Sequence, residues 1–213
     1  MRALVFGGGG ALGSAIVLRL RQDGAELIAP PHSQAPEELD SLPPLDAVVW
    51  AQGLNAADSV LAFDPAGFEA VLDANVTYVA RTLARLVAAG RLADPCRLCV
   101  ISSIWQDQAR TGKFSYTVSK AAVAGLVRSC AADLGPRGVL INAVLPGVVD
   151  TPMSRTHLSP EQIAGVEAAT ALGRLPTPQD IAATVAFLVG PENRAITGQS
   201  LAVDAGFTAV RRI

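Results

Sequence analysis

A tyrosine and a lysine stand four residues apart in the stretch FSYTVSKAAVAGL, residues 114–126. The chain contains two tyrosines, two lysines and fifteen arginines, so Tyr116 and Lys120 combine two residue types that this protein rarely uses. Positions i and i+4 lie on one face of a helix, and the rest of the stretch is mostly apolar. The spacing therefore predicts a phenol and an ammonium side by side near the start of a helix.

Proton transfer is the chemistry that this pair could perform. A phenol has an ordinary pKa of about 10, so ionising it near pH 7 requires roughly 4 kcal/mol. A positive charge about 4 Å away contributes roughly 4 kcal/mol at an effective dielectric constant of about 20, and burial opposes part of that gain. We therefore expect Tyr116 to act as a general acid/base whose proton affinity is lowered by Lys120. The alternative is a half-buried core tyrosine beside a lysine that extends its ammonium to solvent.

A second feature is the glycine-rich segment VFGGGGALGSAIVLRL, which joins an apolar run to a helical pattern. Glycine lets the backbone approach a ligand closely, and the free N–H groups at a helix start attract phosphate. The residue directly after Gly13 is Ser14 and not lysine, which excludes a P-loop. A plain strand-to-helix turn needs only one or two glycines. The segment therefore predicts a pyrophosphate-binding turn built on five glycines, Gly7, Gly8, Gly9, Gly10 and Gly13.

The elements that must position these residues follow from the pattern of apolar residues. Six continuous apolar runs predict strands buried on both faces, at residues 2–6, 25–29, 46–51, 97–102, 139–145 and 200–204. Helical periodicity predicts helices between them, at residues 12–23, 66–90, 115–134, 160–171 and 178–189. Asp64 before Pro65 and Thr177 before Pro178 are typical helix starts. This alternation is typical of an α/β fold with a doubly wound, Rossmann-type parallel sheet, whose ligands bind outside the carboxyl ends of the strands.

One connection is too short for this pattern. Only 16 residues, PPHSQAPEELDSLPPL, separate the second predicted strand from the third, and they are rich in proline. We therefore expect the sheet to be shortened by one strand-helix unit after the second strand. Residues 1–213 contain no internal repeat and no linker, which predicts a single domain.

Composition limits the classes of function. Half of the residues are hydrophobic, 17% are charged and the formal net charge is −2, which argues against a nucleic-acid partner. The sequence has no apolar run of about 18 residues and reaches glycine at Gly7, so we expect no membrane segment, no signal peptide and a cytoplasmic location. Cys96 and Cys99 fall in an apolar run where residues three apart point to opposite faces, and the two histidines lack ligand-spaced neighbours. We therefore predict no metal site.

Further motifs carry a resemblance to a known family. Ser103 lies thirteen residues before Tyr116 in ISSIW, Asn75 lies in LDANVTYVA, and INAVLPGVVDTPM and ITGQSLAVDAGF follow in order. With the Tyr-x-x-x-Lys pair, these segments resemble the short-chain dehydrogenase/reductase family nearly end to end. The resemblance implies an NAD(P)-binding domain and hydride transfer between nicotinamide and a small-to-medium carbonyl or alcohol substrate.

The resemblance also implies a catalytic set. Tyr116 would exchange a proton with the substrate oxygen, and Ser103 would hydrogen-bond the same oxygen; the spacing to Tyr116 favours Ser103 over Ser102. Lys120 would also hold the nicotinamide ribose hydroxyls. Asn75 would interrupt its helix and position a water that passes protons to Lys120, with a simple polar kink as the alternative.

The same resemblance implies a dinucleotide site. The Pro-Gly after the fifth predicted strand would form the wall behind the nicotinamide, while the Val149 backbone and the Thr151 hydroxyl would meet its carboxamide. No carboxylate follows the second strand, and His32 with Ser33 could receive a 2′-phosphate, so NADP is favoured over NAD. The full implied set is Gly7, Gly9, Gly10, Ala11, Leu12, Gly13, His32, Ser33, Ala51, Gln52, Gly53, Tyr116, Lys120, Pro146, Gly147, Val149 and Thr151.

Three departures from the family pattern leave an alternative function open. Ala11 replaces the middle glycine of the phosphate turn, WAQG replaces the usual Asn-Asn-Ala-Gly, and the family's third strand is missing. Gln52 is the candidate to replace the lost asparagine hydrogen bonds of the central sheet. The alternative is a catalytically silent nucleotide-binding sensor or scaffold of the same fold. In either case the resemblance implies a homodimer or homotetramer, and helix 115–134, nearly apolar after Lys120, fits burial against a partner as well as against the sheet.

Overall fold

The computed structural model describes residues 1–31 and 36–210. Its strands are β1 (Arg2–Phe6), β2 (Glu26–Ile28), β3 (Leu45–Trp50), β4 (Leu92–Ile101), β5 (Leu140–Pro146) and β6 (Ser200–Val203). They form one six-stranded parallel sheet in the order β2-β1-β3-β4-β5-β6. The predicted Rossmann-type parallel sheet is therefore confirmed, and each of the six predicted strands is present.

The helices lie on both faces of the sheet. They are α1 (Ala11–Gln22), α2 (Pro65–Leu72), α3 (Tyr78–Ala88), α4 (Phe114–Leu134), α5 (Pro152–His157), α6 (Pro160–Ala169) and α7 (Pro178–Val189). Along β3, Val48 packs in a cluster with α3 and α4, whereas its neighbour Val49 packs in a cluster with α1 and α7. Because alternate residues enter opposite cores, the strands read as continuous apolar runs. Among residues 1–31 and 36–210 we find no helical segment with both the length and the hydrophobicity of a membrane span.

The connection from β2 to β3 is shortened, as predicted. Its described residues contain no strand, and a 3₁₀ helix, Pro36–Ser41, stands where a strand-helix unit would fit. Leu39 of this turn is buried in the cluster that contains α3, and Asp40 forms an ion pair with Arg85 of α3 at 2.6 Å. The shortening leaves β2 at the edge of the sheet and does not change the order of the remaining strands.

The helix predicted over residues 66–90 is interrupted in its middle. It starts as the Asp-Pro signal predicted, because the Asp64 side chain accepts a hydrogen bond from Ala66 N at 3.1 Å. A π-helical turn, Asp73–Thr77, then separates α2 from α3. Such wider turns are frequent at functional sites. Here the turn carries Asn75 into the interior, where its exposed fraction is 2%.

Two elements differ from the prediction. Strand β4 begins at Leu92, five residues before the predicted strand, and pairs there with Leu45 of β3 before the register shifts. Helix α5 was not predicted; Thr151 caps its start by accepting a hydrogen bond from Ser154 N at 3.1 Å. Neither difference alters the strand order that brings the candidate residues together.

Cys96 and Cys99 lie on opposite faces of β4, as predicted, because they belong to the two different core clusters. Burial raises the pKa of each thiol to about 12. Both thiols are therefore protonated at neutral pH. They pack as small apolar side chains, each with its own set of neighbours.

The close contact between α1 and the β1–α1 turn allows a test of stability. Gly7 has a φ of +75°, and a Cβ on Gly13 would overlap the Gly7 carbonyl oxygen and lie 2.8 Å from its carbonyl carbon. We expect Gly13→Ala to lower the free energy of unfolding by about 1–3 kcal/mol, because the turn has no room for another methyl group. The measurement is urea unfolding, with circular dichroism as the signal.

Gly9→Ala is the matched control, because a Cβ on Gly9 would meet no atom within 4 Å. We expect its free energy of unfolding to stay within about 0.5 kcal/mol of the parent value. Equal unfolding free energies for the Gly13 and Gly9 variants would contradict the close approach of Gly7 and Gly13.

Candidate active site

The loops after β1, β3, β4 and β5 meet at one edge of the sheet, because the carboxyl ends of neighbouring parallel strands lie together. The residues predicted to transfer protons come from three places: Asn75 from the π-helical turn, Ser103 from the segment after β4, and Tyr116 and Lys120 from α4. Their exposed fractions are 2% for Asn75, 7% for Ser103 and 3% for Lys120. Tyr116 is partly exposed, so the fold brings three buried side chains and one partly exposed ring together beside the end of β4.

Lys120 lies over the ring of Tyr116. Its Nζ is 5.4 Å from the ring centroid, a cation–π distance, and it donates a hydrogen bond to the Ile101 carbonyl oxygen at 3.1 Å. The i and i+4 spacing on α4 therefore gives neighbouring side chains, as the sequence predicted. Because the last residue of β4 holds the ammonium in the interior, the alternative of a lysine extended into solvent is wrong.

Burial is the main influence on the ionisation of Tyr116. Burial raises the pKa of Tyr116 above its ordinary value, and a hydrogen bond with the Ser103 side chain only partly opposes that rise. The physical reason for the net rise is that burial removes the phenolate from water. The expectation that Lys120 lowers the proton affinity of the phenol stays a prediction, because a net rise does not exclude a lowering contribution from the ammonium.

The Asn75 side chain joins two other segments of the site. Its Oδ1 accepts a hydrogen bond from Leu54 N at 2.8 Å, and its Nδ2 donates to Leu54 O at 2.8 Å and to Ser119 Oγ at 2.9 Å. Ser119 Oγ donates in turn to the Tyr116 carbonyl oxygen at 2.8 Å. The amide is thus occupied by protein partners. A water directed toward Lys120 would have to use the remaining lone pair of Oδ1 or the Asn75 backbone.

Gly53 leaves a space between Asn75 and Lys120. A Cβ on Gly53 would lie 3.0 Å from Asn75 Oδ1 and 3.6 Å from Lys120 Nζ. A side chain at this position would therefore enter the space that both the amide and the ammonium face. The glycine at the end of WAQG keeps room beside the buried charge.

The β1–α1 turn has the features of an anion site. Gly10 is the N-cap of α1 without a side-chain capping bond, and the first helical turn contains no acidic residue. Ala11 and Leu12 begin the helix; Ala11 is exposed, and a Cβ on Gly9 would meet no atom within 4 Å. The alanine at position 11, where the family has glycine, therefore does not fill the space above the turn. The N–H groups and the dipole at the start of α1 fit the phosphates of a dinucleotide.

Gln52 does not have the role that we expected. Both polar atoms of its side-chain amide are buried and have no hydrogen-bond partner among the described residues. The central sheet is instead tied to α3 by Trp50, whose Nε1 donates to Thr82 Oγ1 at 2.9 Å. Gln52 N lies 2.5 Å from the position of a Cβ on Gly7, so Gln52 adjoins the phosphate turn. A buried amide without partners fits a bound ligand that supplies them.

The residues implied to contact the nicotinamide follow β5. Pro146 ends that strand and Gly147 comes directly after it, next to the end of β4 in the sheet. The Val149 carbonyl oxygen accepts a hydrogen bond from Ser154 Oγ at 2.6 Å, and the Thr151 hydroxyl caps α5. The Val149 carbonyl and the Thr151 oxygen therefore already have protein partners. A ligand contact at Thr151 would have to share its hydroxyl with the helix cap.

Lys113, the other lysine of the chain, was not among the predicted site residues but also lies beside Tyr116. Lys113 Nζ lies 5.9 Å from the centroid of the same Tyr116 ring that Lys120 covers. The available signal is its position three residues before Tyr116, since i−3 and i+4 share a helix face. Ser119 has no comparable signal, because its contact with Asn75 joins residues 44 positions apart.

The buried charge of Lys120 makes stability depend on pH. Burial lowers the pKa of Lys120 from 10.5 to about 8. The folded protein therefore loses this proton near pH 8, whereas the unfolded chain keeps it up to its ordinary pKa. Between these values the unfolded state binds more protons, so the contribution of Lys120 makes the protein more stable as the pH rises from 8 to 10.5.

We expect Lys120→Met to be more stable than the parent at pH 7, by up to about 3 kcal/mol, because the variant buries no charge. The difference should shrink as the pH rises from about 8 to 10, measured by urea unfolding of the ligand-free proteins at each pH. Arg128→Met, an exposed site on the same helix, is the control and should differ from the parent by a constant amount. A pH-independent difference for Lys120→Met would contradict the burial of a charged ammonium.

Comparisons with known proteins agree with this geometry. Residues 33–208 match a family profile described as enoyl-(acyl carrier protein) reductase. The short-chain reductase protein NovJ of Streptomyces niveus is 35% identical over 170 residues, which are 76% of this chain and 64% of that protein. The 3-oxoacyl-[acyl-carrier-protein] reductase FabG of Vibrio cholerae is 28% identical across 96% of both proteins. The chain thus spans less than two thirds of NovJ and nearly all of FabG.

A solved structure extends the likeness to the whole fold. The short-chain dehydrogenase/reductase of Serratia marcescens superposes with a TM-score of 0.87 and 29% identity, covering 98% of each chain. Three findings indicate the same family: the six-stranded parallel sheet, the profile match over most of the chain and the similar relatives. This protein belongs to the short-chain dehydrogenase/reductase family of oxidoreductases.

Proposed function

We propose that this protein is an NAD(P)-dependent oxidoreductase that moves a hydride between the nicotinamide and a small-to-medium carbonyl or alcohol substrate. One observation carries the proposal. The buried Lys120 ammonium lies 5.4 Å from the centroid of the Tyr116 ring, and the Ser103 side chain acts on the same phenol by lowering its pKa. A silent sensor or scaffold has no use for a buried charge beside a phenol, since that charge reduces stability. The enzyme is therefore the better supported of the two functions.

Tyr116 and Ser103 act on the substrate oxygen. The bound nicotinamide supplies or accepts the hydride. Tyr116 Oη donates a proton to the developing alkoxide, or takes it from the alcohol in the reverse direction. Because burial raises its pKa, the phenol is protonated at neutral pH and is in the form that a proton donor needs. Ser103 Oγ, a hydrogen-bond partner of the phenol, holds the same substrate oxygen in position.

Lys120 and Asn75 support the phenol. The Lys120 ammonium stabilises the phenolate that remains after proton donation, because a positive charge near the ring favours the anion. It also has donors left to hold the ribose hydroxyls, since Ile101 takes one of three. Asn75 fixes Ser119 and, through it, the backbone of Tyr116. The remaining lone pair of Asn75 Oδ1 suits a water that returns protons through Lys120.

We propose NADP as the preferred cofactor. An acidic residue directly after β2 would favour NAD by binding the ribose hydroxyls, and residues 29–31 contain none. His32 and Ser33, which could receive a 2′-phosphate, lie outside the described residues. The phosphate turn and the Gln52 amide fit either dinucleotide, so the preference rests on the lack of a carboxylate.

The substrate class is a carbonyl/alcohol pair. The FabG relative is by name a reductase of a 3-oxoacyl group, and NovJ is by name a short-chain reductase. Both names describe a reduction, and the name of the FabG relative specifies a ketone, the 3-oxo group, as the group that is reduced. A substrate oxygen that accepts from Tyr116 and Ser103 fits the same chemistry.

We expect Tyr116→Phe to reduce turnover at least about 100-fold, because it removes the proton donor and leaves the ring in place. NADPH affinity should stay within about threefold, since Lys120 and the phosphate turn are unchanged. The measurements are NADPH consumption with a panel of ketones, aldehydes and 3-oxoacyl thioesters, and NADPH binding by fluorescence. Tyr78→Phe, at the other tyrosine of the chain, is the control and should keep the parental turnover.

The same panel separates the competing proposals. NADPH binding without consumption of any carbonyl or alcohol would favour the sensor or scaffold. Retention of most of the turnover by Tyr116→Phe would remove the phenol from the mechanism. Binding of NAD that is tenfold tighter than binding of NADP would reverse the cofactor preference.

We also propose that α4 pairs with a second copy of the chain to form a homodimer or homotetramer. Ala121, Ala122 and Gly125 form an exposed patch of small residues on this helix, and a Cβ on Gly125 would meet no atom within 4 Å. Small residues on an exposed helix face permit close approach of another helix. The proposal is independent of the catalytic roles described above.

Gly125→Glu tests the pairing without disturbing the fold of one chain. We expect the variant to be monomeric by multi-angle light scattering while the parent is a dimer or tetramer, because the new carboxylate would be buried between the copies. Gly165→Glu in α6 is the matched control, since a Cβ there also meets no atom within 4 Å. A parent that is already monomeric would remove the proposal.

A further inference from the structure

The loop of residues 54–58, which follows β3 and the WAQG segment, contacts two parts of the candidate active site at once. At its start, Leu54 is held by the Asn75 side chain through two hydrogen bonds of 2.8 Å. At its middle, Asn55 Oδ1 and the Ala56 carbonyl oxygen accept hydrogen bonds from Lys113 Nζ at 2.8 and 3.2 Å. The loop therefore connects the π-helical turn to the residue before α4.

The end of the loop caps α4. The Asp58 carboxylate accepts hydrogen bonds from Ser115 N at 3.1 Å and from Ser115 Oγ, and the Asp58 carbonyl accepts from Phe114 N at 3.4 Å. Lys113, the N-cap residue, makes no side-chain capping bond itself. A residue 57 positions away in sequence thus satisfies the first N–H groups of α4. Tyr116 is the next residue along the helix.

Both lysines of the chain therefore lie beside one ring. Lys113 Nζ is 5.9 Å and Lys120 Nζ is 5.4 Å from the Tyr116 centroid. The two ammonium groups are held by different carbonyls, from Ala56 in the loop and from Ile101 at the end of β4. In a chain that uses fifteen arginines, this concentration of both lysines at the only tyrosine of α4 needs a physical reason.

We propose that Lys113 and Asp58 are positioning residues for Tyr116, and that Lys113 also places a second positive charge on the phenol. Through the 54–58 loop they hold the first turn of α4 in a fixed relation to Asn75. Asn75 reaches the Tyr116 backbone by the separate route through Ser119. The helix backbone around Tyr116 is thus held at Ser115 by Asp58 and at the Tyr116 carbonyl by Ser119. The inference rests on the proposed acid/base role of Tyr116 and adds residues to it.

The charges around Tyr116 set the direction of the expected effect. Lys120 and Lys113 face the ring from α4 and its N-cap, and Ser103 hydrogen-bonds the phenol from the segment after β4. Burial and the charge of Arg110 lower the pKa of Lys113, and Asp58 raises it. Loss of the Lys113 charge should therefore raise the pKa of Tyr116, because one cation that stabilises the phenolate is gone.

The test compares Lys113→Met, Lys113→Arg and Arg110→Met, each in a Tyr78→Phe background that leaves one tyrosine. Tyrosinate absorbance gives the pKa of Tyr116 without any need for turnover. We expect Lys113→Met to raise this pKa by at least about half a unit and to lower kcat about tenfold, with NADPH binding within about twofold of the parent. Lys113→Arg should restore most of both values, and Arg110→Met should change the pKa less than half as much.

Asp58→Ala separates positioning from charge. It removes the cap of α4 but keeps the Lys113 ammonium, so we expect kcat to fall about tenfold at an unchanged KM for the carbonyl substrate. Circular dichroism checks that each variant is folded. If Lys113→Met leaves the pKa and kcat at parental values, or if Arg110→Met changes the pKa equally, the proposal is overturned. A parent without turnover would remove the proposed function, and the titration of Tyr116 would still decide the role of the Lys113 charge.

Discussion

The site depends on one positive charge that is buried at the carboxyl edge of a parallel sheet. The Lys120 ammonium has the Ile101 carbonyl and the face of the Tyr116 ring as neighbours. These groups replace only part of the water that the charge has lost, which is why burial lowers the pKa of Lys120 to about 8. The charge therefore reduces the stability of the ligand-free protein. It becomes favourable when an anion, such as the phenolate of Tyr116, forms beside it.

The rest of the fold keeps this charge in position and leaves space next to it. The parallel sheet brings the ends of β1, β3 and β4 together, so the phosphate turn, Gly53 and Ile101 lie along one edge. The π-helical turn carries Asn75 inward to the same place, where Leu54 and Ser119 bind its amide. The shortened connection lies next to β2 at the sheet edge. The missing strand-helix unit therefore affects the β2 edge of the sheet and leaves the strand ends beside Lys120 unchanged.

Much of this architecture could be predicted from the sequence, because both faces of the sheet are covered and its strands are therefore continuous apolar runs. The contact between Tyr116 and Lys120 could be predicted from their spacing on a helix. The balance between desolvation and charge at Tyr116 could not, since it depends on burial that only the packed structure provides. The sequence also could not predict that the Gln52 amide is buried without a partner, or that Asp58 caps α4. Both depend on contacts between distant segments of the chain.

If Tyr116 and Lys120 form one proton-transfer unit, the pKa of Tyr116 must respond to the bound cofactor. Carbon NMR of ring-labelled tyrosine measures this directly, because the chain has two tyrosines and Tyr78→Phe assigns the second signal. We predict a pKa above 10 in the ligand-free protein and a fall of at least about one unit when NADP⁺ is bound, with the fall lost in Lys120→Met. A Tyr116 pKa that is equal with and without bound NADP⁺ would contradict the acid/base role of the pair.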